Sequence, residues 1–135
     1  MSIAAPNNST PATAAGKKVL LVEDHADTAT VISLLLKKFG HTVVAKETVQ
    51  GGLEAFTADT FDIVLSDLSL PDGSGLDFVR QLRTTSDVPA VALTGYGMDD
   101  DIRRCTEAGF NAHLIKPVNF AELDTIIRRL TTPAA

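Results

Sequence analysis

The chain has a single cysteine, Cys105, among its 135 residues. An internal disulfide is therefore excluded, and the sequence suits a reducing, cytoplasmic compartment. No apolar run approaches the length needed to cross a bilayer, so this domain is expected to make no membrane contact. The opening stretch, MSIAAPNNST, lacks the charged and apolar regions of a secretory signal. There is no basic cluster either. Twelve Lys and Arg stand against seventeen Asp and Glu, for a net charge of −5. The doublets Lys37-Lys38, Arg103-Arg104 and Arg128-Arg129 fall on separate predicted helices and read as solvated faces. General nucleic-acid binding is excluded on that balance. No internal repeat is present.

What remains is enough for one domain with a real core, with 44% of the residues apolar. Residues 1–16, MSIAAPNNSTPATAAG, have too little apolar bulk to pack and predict a disordered leader or linker. The domain is expected over 17–131, with 132–135 a short tail. KKVLLVED reads as a buried strand, a continuous apolar run bounded by charge. A helix follows over 27–39, with Val31, Leu34, Leu35 and Phe39 sharing its inner face. HTVVAKE is a shorter strand, and VQGGLEAFTA a helix weakened by two glycines. FDIVLSD, VPAVALTG and NAHLIKP are three further strands. Helices follow each of them: GLDFVRQLRTT, residues 98–108, and FAELDTIIRRL. Fivefold β-then-α alternation predicts a single doubly wound α/β domain, a parallel sheet covered on both faces. Such sheets bind ligands beyond the C-terminal ends of their strands.

At those ends stand Glu23-Asp24, Asp67, Thr94-Gly95 and Lys116-Pro117. Asp24 alone could cap a helix, Thr94 could fill a turn, and Lys116 could be a surface lysine. Together they put three carboxylates, a hydroxyl and an ammonium on one edge. Carboxylates gathered closely repel and need a cation. An oxygen donor set without Cys or His suits Mg²⁺ or Mn²⁺. A lysine and a hydroxyl beside them can bind phosphoryl oxygens, which is what phosphoryl transfer requires. Asp67 is then the candidate nucleophile. His25 and His41 have no metal-ligand spacing and read as surface residues. Cys105 reads as a small packing residue.

LLVEDHADT, SDLSLPDGSG, ALTGYG and AHLIKP resemble, in order and spacing, the receiver domain of two-component response regulators. The likeness runs over about residues 17–130 and is closest in flavour to the C-terminal receivers of hybrid sensor histidine kinases. It implies a flavodoxin-like (βα)5 fold with strand order 2-1-3-4-5. By the resemblance, Asp67 is the phospho-acceptor, and Asp24, Glu23 (through water) and the backbone carbonyl of Ser69 hold the metal. Thr94 is the switch hydroxyl, Lys116 its ion-pair partner, and the bond before Pro117 is cis. A histidine kinase or phosphotransfer protein would supply the phosphoryl group, and the face made by helix four, strand five and helix five would carry the signal. The domain would act on itself rather than turn over a substrate, as a monomer or weak dimer. His113 stands where the family usually has an aromatic switch residue. Ser69 and Tyr96 flank the site and could govern access of hydrolytic water.

Four alternatives can be set against this reading. The chain could be a stand-alone regulator rather than part of a hybrid kinase. It could be a binding module that works without phosphorylation. A haloacid-dehalogenase-like phosphatase wants a second Asp where Ser69 stands. A dinucleotide binder wants a third glycine, where Phe78 stands, and a glycine loop after the first strand.

Overall fold

The computed structural model describes residues 16–95 and 99–132. Five strands form the main sheet: β1 (Lys18–Val22), β2 (Thr42–Lys46), β3 (Ile63–Asp67), β4 (Ala90–Thr94) and β5 (Ala112–Ile115). All neighbours run parallel, in the order β2-β1-β3-β4-β5, which is the expected doubly wound arrangement. The helices are α1 (Ala26–Lys38), α2 (Val49–Ala58), α3 (Gly75–Leu82), α4 (Asp99–Ala108) and α5 (Phe120–Thr131). An additional two-residue hairpin, Ser69–Leu70 with Gly73–Ser74, lies between β3 and α3.

Parallel strands covered on both faces need apolar residues at every position, and β3 and β4 are buried throughout. Alternate side chains then serve opposite faces. Leu20, Val22, Val64, Ala90 and Ala92 join α2 and α3 residues, with Phe78, Val79 and Leu82 at the centre. Val19, Leu21, Ile63, Leu65, Val91 and Leu93 join Ile32, Leu36, Leu123 and Ile127 from α1 and α5. Each large side chain buried this way contributes roughly 1.5–3 kcal/mol. Gly52 in α2 has a local cause: a Cβ there would stand 2.9 Å from Val22 Cγ2 and 3.0 Å from Phe78 Cε1. The glycine lets α2 approach the sheet.

Two expectations need correction. On α1 the inner stripe is Ile32 and Leu36, supported by Ala29, Leu35 and Phe39. Val31 and Leu34 are 56% and 62% exposed. The run VISLLL offers two apolar stripes, and the sheet takes the one that starts a residue later. His41 is not a free surface residue: it is half-buried, and its Nδ1 accepts the Lys17 backbone N–H at 2.9 Å.

Candidate functional site

β1, β3 and β4 end on one edge and deliver polar side chains into the interior. Glu23, Asp67 and Thr94 are 1%, 7% and 4% exposed. Glu23 directly follows β1, and its N–H continues the pairing to Lys46 O at 2.9 Å. Asp67 is the last residue of β3, level with Leu93 of β4. Lys116 directly follows β5 and is tied back to β4 through its N–H to Thr94 O, 2.7 Å. The Lys116–Pro117 bond is cis, as the resemblance implied.

The lysine brings the acids together. Its Nζ lies 2.7 Å from Glu23 Oε1 and 3.1 Å from Asp67 Oδ2. Burial pulls the Lys116 ammonium down, but its close pairing with the two carboxylates outweighs that and holds its pKa above the ordinary lysine value. The other oxygen of Asp67, Oδ1, accepts the N–H of Leu68 at 2.7 Å and, more loosely, that of Ser69 at 3.4 Å. The carboxylate is thus fixed from both sides.

Asp67 keeps this position because the chain turns sharply behind it. Gly75 N–H donates to Leu68 O at 2.9 Å. A Cβ on Gly75 would stand 2.1 Å from the Asp67 carbonyl oxygen, so no other residue fits without moving the loop. The loop tip is anchored by Asp72, which sequence reasoning passed over. Its carboxylate accepts Val49 N–H at 2.7 Å and Gln50 N–H at 3.0 Å, closing the N-terminus of α2. Those two backbone bonds hold the Asp72 carboxyl below its usual range.

A cleft of about 450 Å³ opens at Asp67 and is lined also by Ser69, Thr94, Gly95, Asp101 and Arg104. Of the expected site residues, Glu23, Asp24, Asp67 and Lys116 come together, and Thr94 lines the same cleft. Ser69 is exposed on the small hairpin, beside Asp67. His113 is half-buried in β5, level with Ala92. Alternation turns it to the face opposite Ala112 and Leu114, away from α1 and α5. Tyr96 lies outside the described residues. His25 is exposed, as expected, yet its ring reaches the acid cluster, with Nδ1 3.2 Å from Glu23 Oε2.

The donors fit a hard divalent cation. Carboxylate oxygens of Glu23, Asp24 and Asp67 lie close together. Asp24 Oδ1 is buried without a hydrogen bond. Glu23 Oε1 meets Lys116 as an ion pair whose geometry falls short of a hydrogen bond, so it too retains acceptor capacity. Unfilled oxygens of this kind, in a buried acidic pocket, are the groups Mg²⁺ takes.

Comparison with known proteins gives the class. Residues 19–128 match the response regulator receiver domain. The chain is 35% identical over 129 residues to the sensory/regulatory protein RpfC of Xanthomonas campestris pv. campestris, covering 87% of this chain and 18% of RpfC. It is 34% identical over 110 residues to the KDP operon transcriptional regulatory protein KdpE of Escherichia coli, covering 82% of this chain and 49% of KdpE. The receiver domain of the sensor histidine kinase PA1611 from Pseudomonas aeruginosa, solved with magnesium in its active-site cleft, superposes with a TM-score of 0.80 at 32% identity. That match covers 87% of this chain and 98% of that one. The chemotaxis response regulator CheY4 of Vibrio cholerae gives a TM-score of 0.81 at 25% identity, covering 85% and 98%. The chain belongs to the response regulator receiver domain family. It is a receiver domain of a two-component system, and it spans half or less of the curated relatives RpfC and KdpE.

Proposed function

We propose that this domain takes a phosphoryl group from a phosphohistidine onto Asp67 and passes the signal on through the face formed by α4, β5 and α5. The observation that carries this reading is the Asp67 carboxylate, 7% exposed and held 3.1 Å from the Lys116 ammonium beside two more acids. An Asp67 oxygen attacks phosphorus, the bond from phosphorus to the histidine nitrogen breaks, and an acyl phosphate forms. Lys116 neutralises charge on the phosphoryl oxygens, and the Thr94 hydroxyl, on the same cleft, turns toward them. Glu23, Asp24, Asp67 and the Ser69 carbonyl would hold a divalent cation, Mg²⁺ foremost. When bound, the cation neutralises the acids and the incoming phosphoryl oxygens. Ser69 and Tyr96 are assigned to control of hydrolysis, and His113 to the conformational readout.

The donor is a histidine kinase or phosphotransfer protein. Exposed Val31 and Leu34 on α1, with an apolar cleft of about 430 Å³ formed by Thr28, Ile32, Pro117 and Val118 beside Lys116, offer a docking surface next to the acceptor. The likeness to the PA1611 receiver supports a place within a hybrid kinase over a stand-alone regulator.

Treatment with acetyl phosphate and Mg²⁺, followed by intact mass measurement, tests the reading. One added phosphate is expected in the wild-type chain and none in Asp67→Asn. Absence of any adduct, with magnesium bound, would favour a module that works without phosphorylation.

A further inference from the structure

His25 follows Asp24 directly, a spacing that by itself gives no reason to count it among the metal-binding residues. The structure does. His25 is the N-cap of α1, but its side chain makes no capping bond. The side chain is 71% exposed, yet its Nδ1 faces the acids. Its Nδ1 lies 3.2 Å from Glu23 Oε2 and 3.4 Å from Asp24 Oδ1. The backbone N–H of the same residue donates to Glu23 Oε2 at 3.1 Å, which fixes the start of the side chain. One donor atom each from Glu23, Asp24, His25 and Asp67 falls within 4.8 Å of the others. Among these donors, Asp24 Oδ1 is buried and accepts no hydrogen bond. The pocket therefore has an unfilled oxygen and, on its solvent side, a nitrogen already aimed inward.

We infer that His25 supplies a nitrogen donor to the divalent-cation site and shifts its preference from magnesium toward first-row transition ions such as Mn²⁺, Co²⁺ and Zn²⁺. The inference rests on the reading that Glu23, Asp24 and Asp67 hold a cation, and it deepens it. The chemistry is one of donor type. Magnesium binds oxygen and gains little from an imidazole. Cobalt and zinc bind imidazole well, and their affinity at a mixed nitrogen and oxygen site follows the Irving–Williams order. An all-oxygen pocket distinguishes these ions less. The ring needs no rearrangement of the fold to take part, because it sits at a helix start and is packed against nothing that would hold it elsewhere. His25 in this role selects the ion, while Asp67 and Lys116 remain the groups that meet the phosphoryl group.

The test compares the full chain with His25→Asn and His25→Ala, titrated with Mg²⁺, Co²⁺ and Zn²⁺ by calorimetry. Cobalt serves also as a spectroscopic probe: its visible spectrum and the paramagnetically shifted proton resonances of a coordinated imidazole report a nitrogen ligand directly. In both variants the affinity for Co²⁺ and Zn²⁺ should fall roughly tenfold or more, with the shifted imidazole resonances lost and the affinity for Mg²⁺ unchanged. Equal affinity ratios in wild type and variants, or a cobalt complex without shifted imidazole resonances, overturn the role of His25 and leave the acidic site standing. A wild-type chain that binds none of the three ions overturns the site itself.

Discussion

At the N-terminal edge of the sheet the Arg83 guanidinium donates to Gly109 O at 2.7 and 3.0 Å, to Val88 O at 2.7 Å and to Asn111 Oδ1 at 3.0 Å. Asn111 Oδ1 also accepts Ala90 N–H at 2.8 Å, Lys18 N–H meets Asp62 Oδ2, and Lys17 N–H meets His41 Nδ1. At the C-terminal edge the polar groups are buried more deeply and served less well. Asp24 Oδ1 accepts no hydrogen bond from the described residues, and one lysine is shared between Glu23 and Asp67. Polar groups that hold a fold together are matched within the chain. Those kept for a ligand retain capacity that the chain does not fill, at a cost in stability.

The largest effect that separates the edges should come from Lys116→Met. It leaves Glu23 and Asp67 buried without a cation, and should lower unfolding free energy by about 3 kcal/mol or more. Chemical denaturation measures it. Adding Glu23→Gln should return part of the loss, and a change under about 1 kcal/mol would erase the distinction between the edges. Magnesium comes next. At roughly one hundred times its Kd it should stabilise the native state by about 2.7 kcal/mol, seen as a raised Tm that a chelator reverses and that Asp24→Asn abolishes. A Tm indifferent to magnesium would mean the unfilled oxygens are not a cation site.

Arg83→Ala attacks the satisfied edge. Partly buried carbonyls lose a charged donor, and the cost should be about 2 kcal/mol. Magnesium binding and phosphorylation by acetyl phosphate should stay as in wild type; their loss would show the edges to be coupled. The smallest effect is a pH dependence at His41. Burial holds this imidazole below its ordinary pKa, and Lys17 and Arg128 push the same way against Asp124 and Asp62. Its contribution is therefore complete above the unfolded value of about 6.5 and is lost as pH falls through the lower folded value. The Tm of the wild type should drop more between neutral and mildly acidic pH than that of His41→Asn, which keeps an acceptor but gains no proton. Parallel curves would remove His41 from the satisfied network.

The contrast between the edges also explains what could be read before any coordinates. Glu23, Asp24, Asp67, Thr94 and Lys116 were legible because each ends an apolar run, and in a parallel sheet all strand ends of one sense meet on one edge. Asp72 was not, since its partners, Val49 and Gln50, lie more than twenty positions upstream and nothing local marks the contact. His25 escaped because its role depends on a rotamer, not on a spacing. The α1 stripe was misplaced by one position because VISLLL contains apolar residues on adjacent faces, and only packing on the sheet selects between them. His41 looked free for want of any signal that the backbone at Lys17 would come to it.

Among the described residues the sheet also divides the interior into two apolar clusters that share no residue, one under α2, α3 and α4 and the other under α1 and α5. Side chains in one layer can be exchanged without repacking the other. A lineage, or a designer working by combinatorial libraries, can thus vary the layer behind α1 while holding the opposite layer constant. Two surfaces of a small domain become separately adjustable, with the strand backbones as insulation between them.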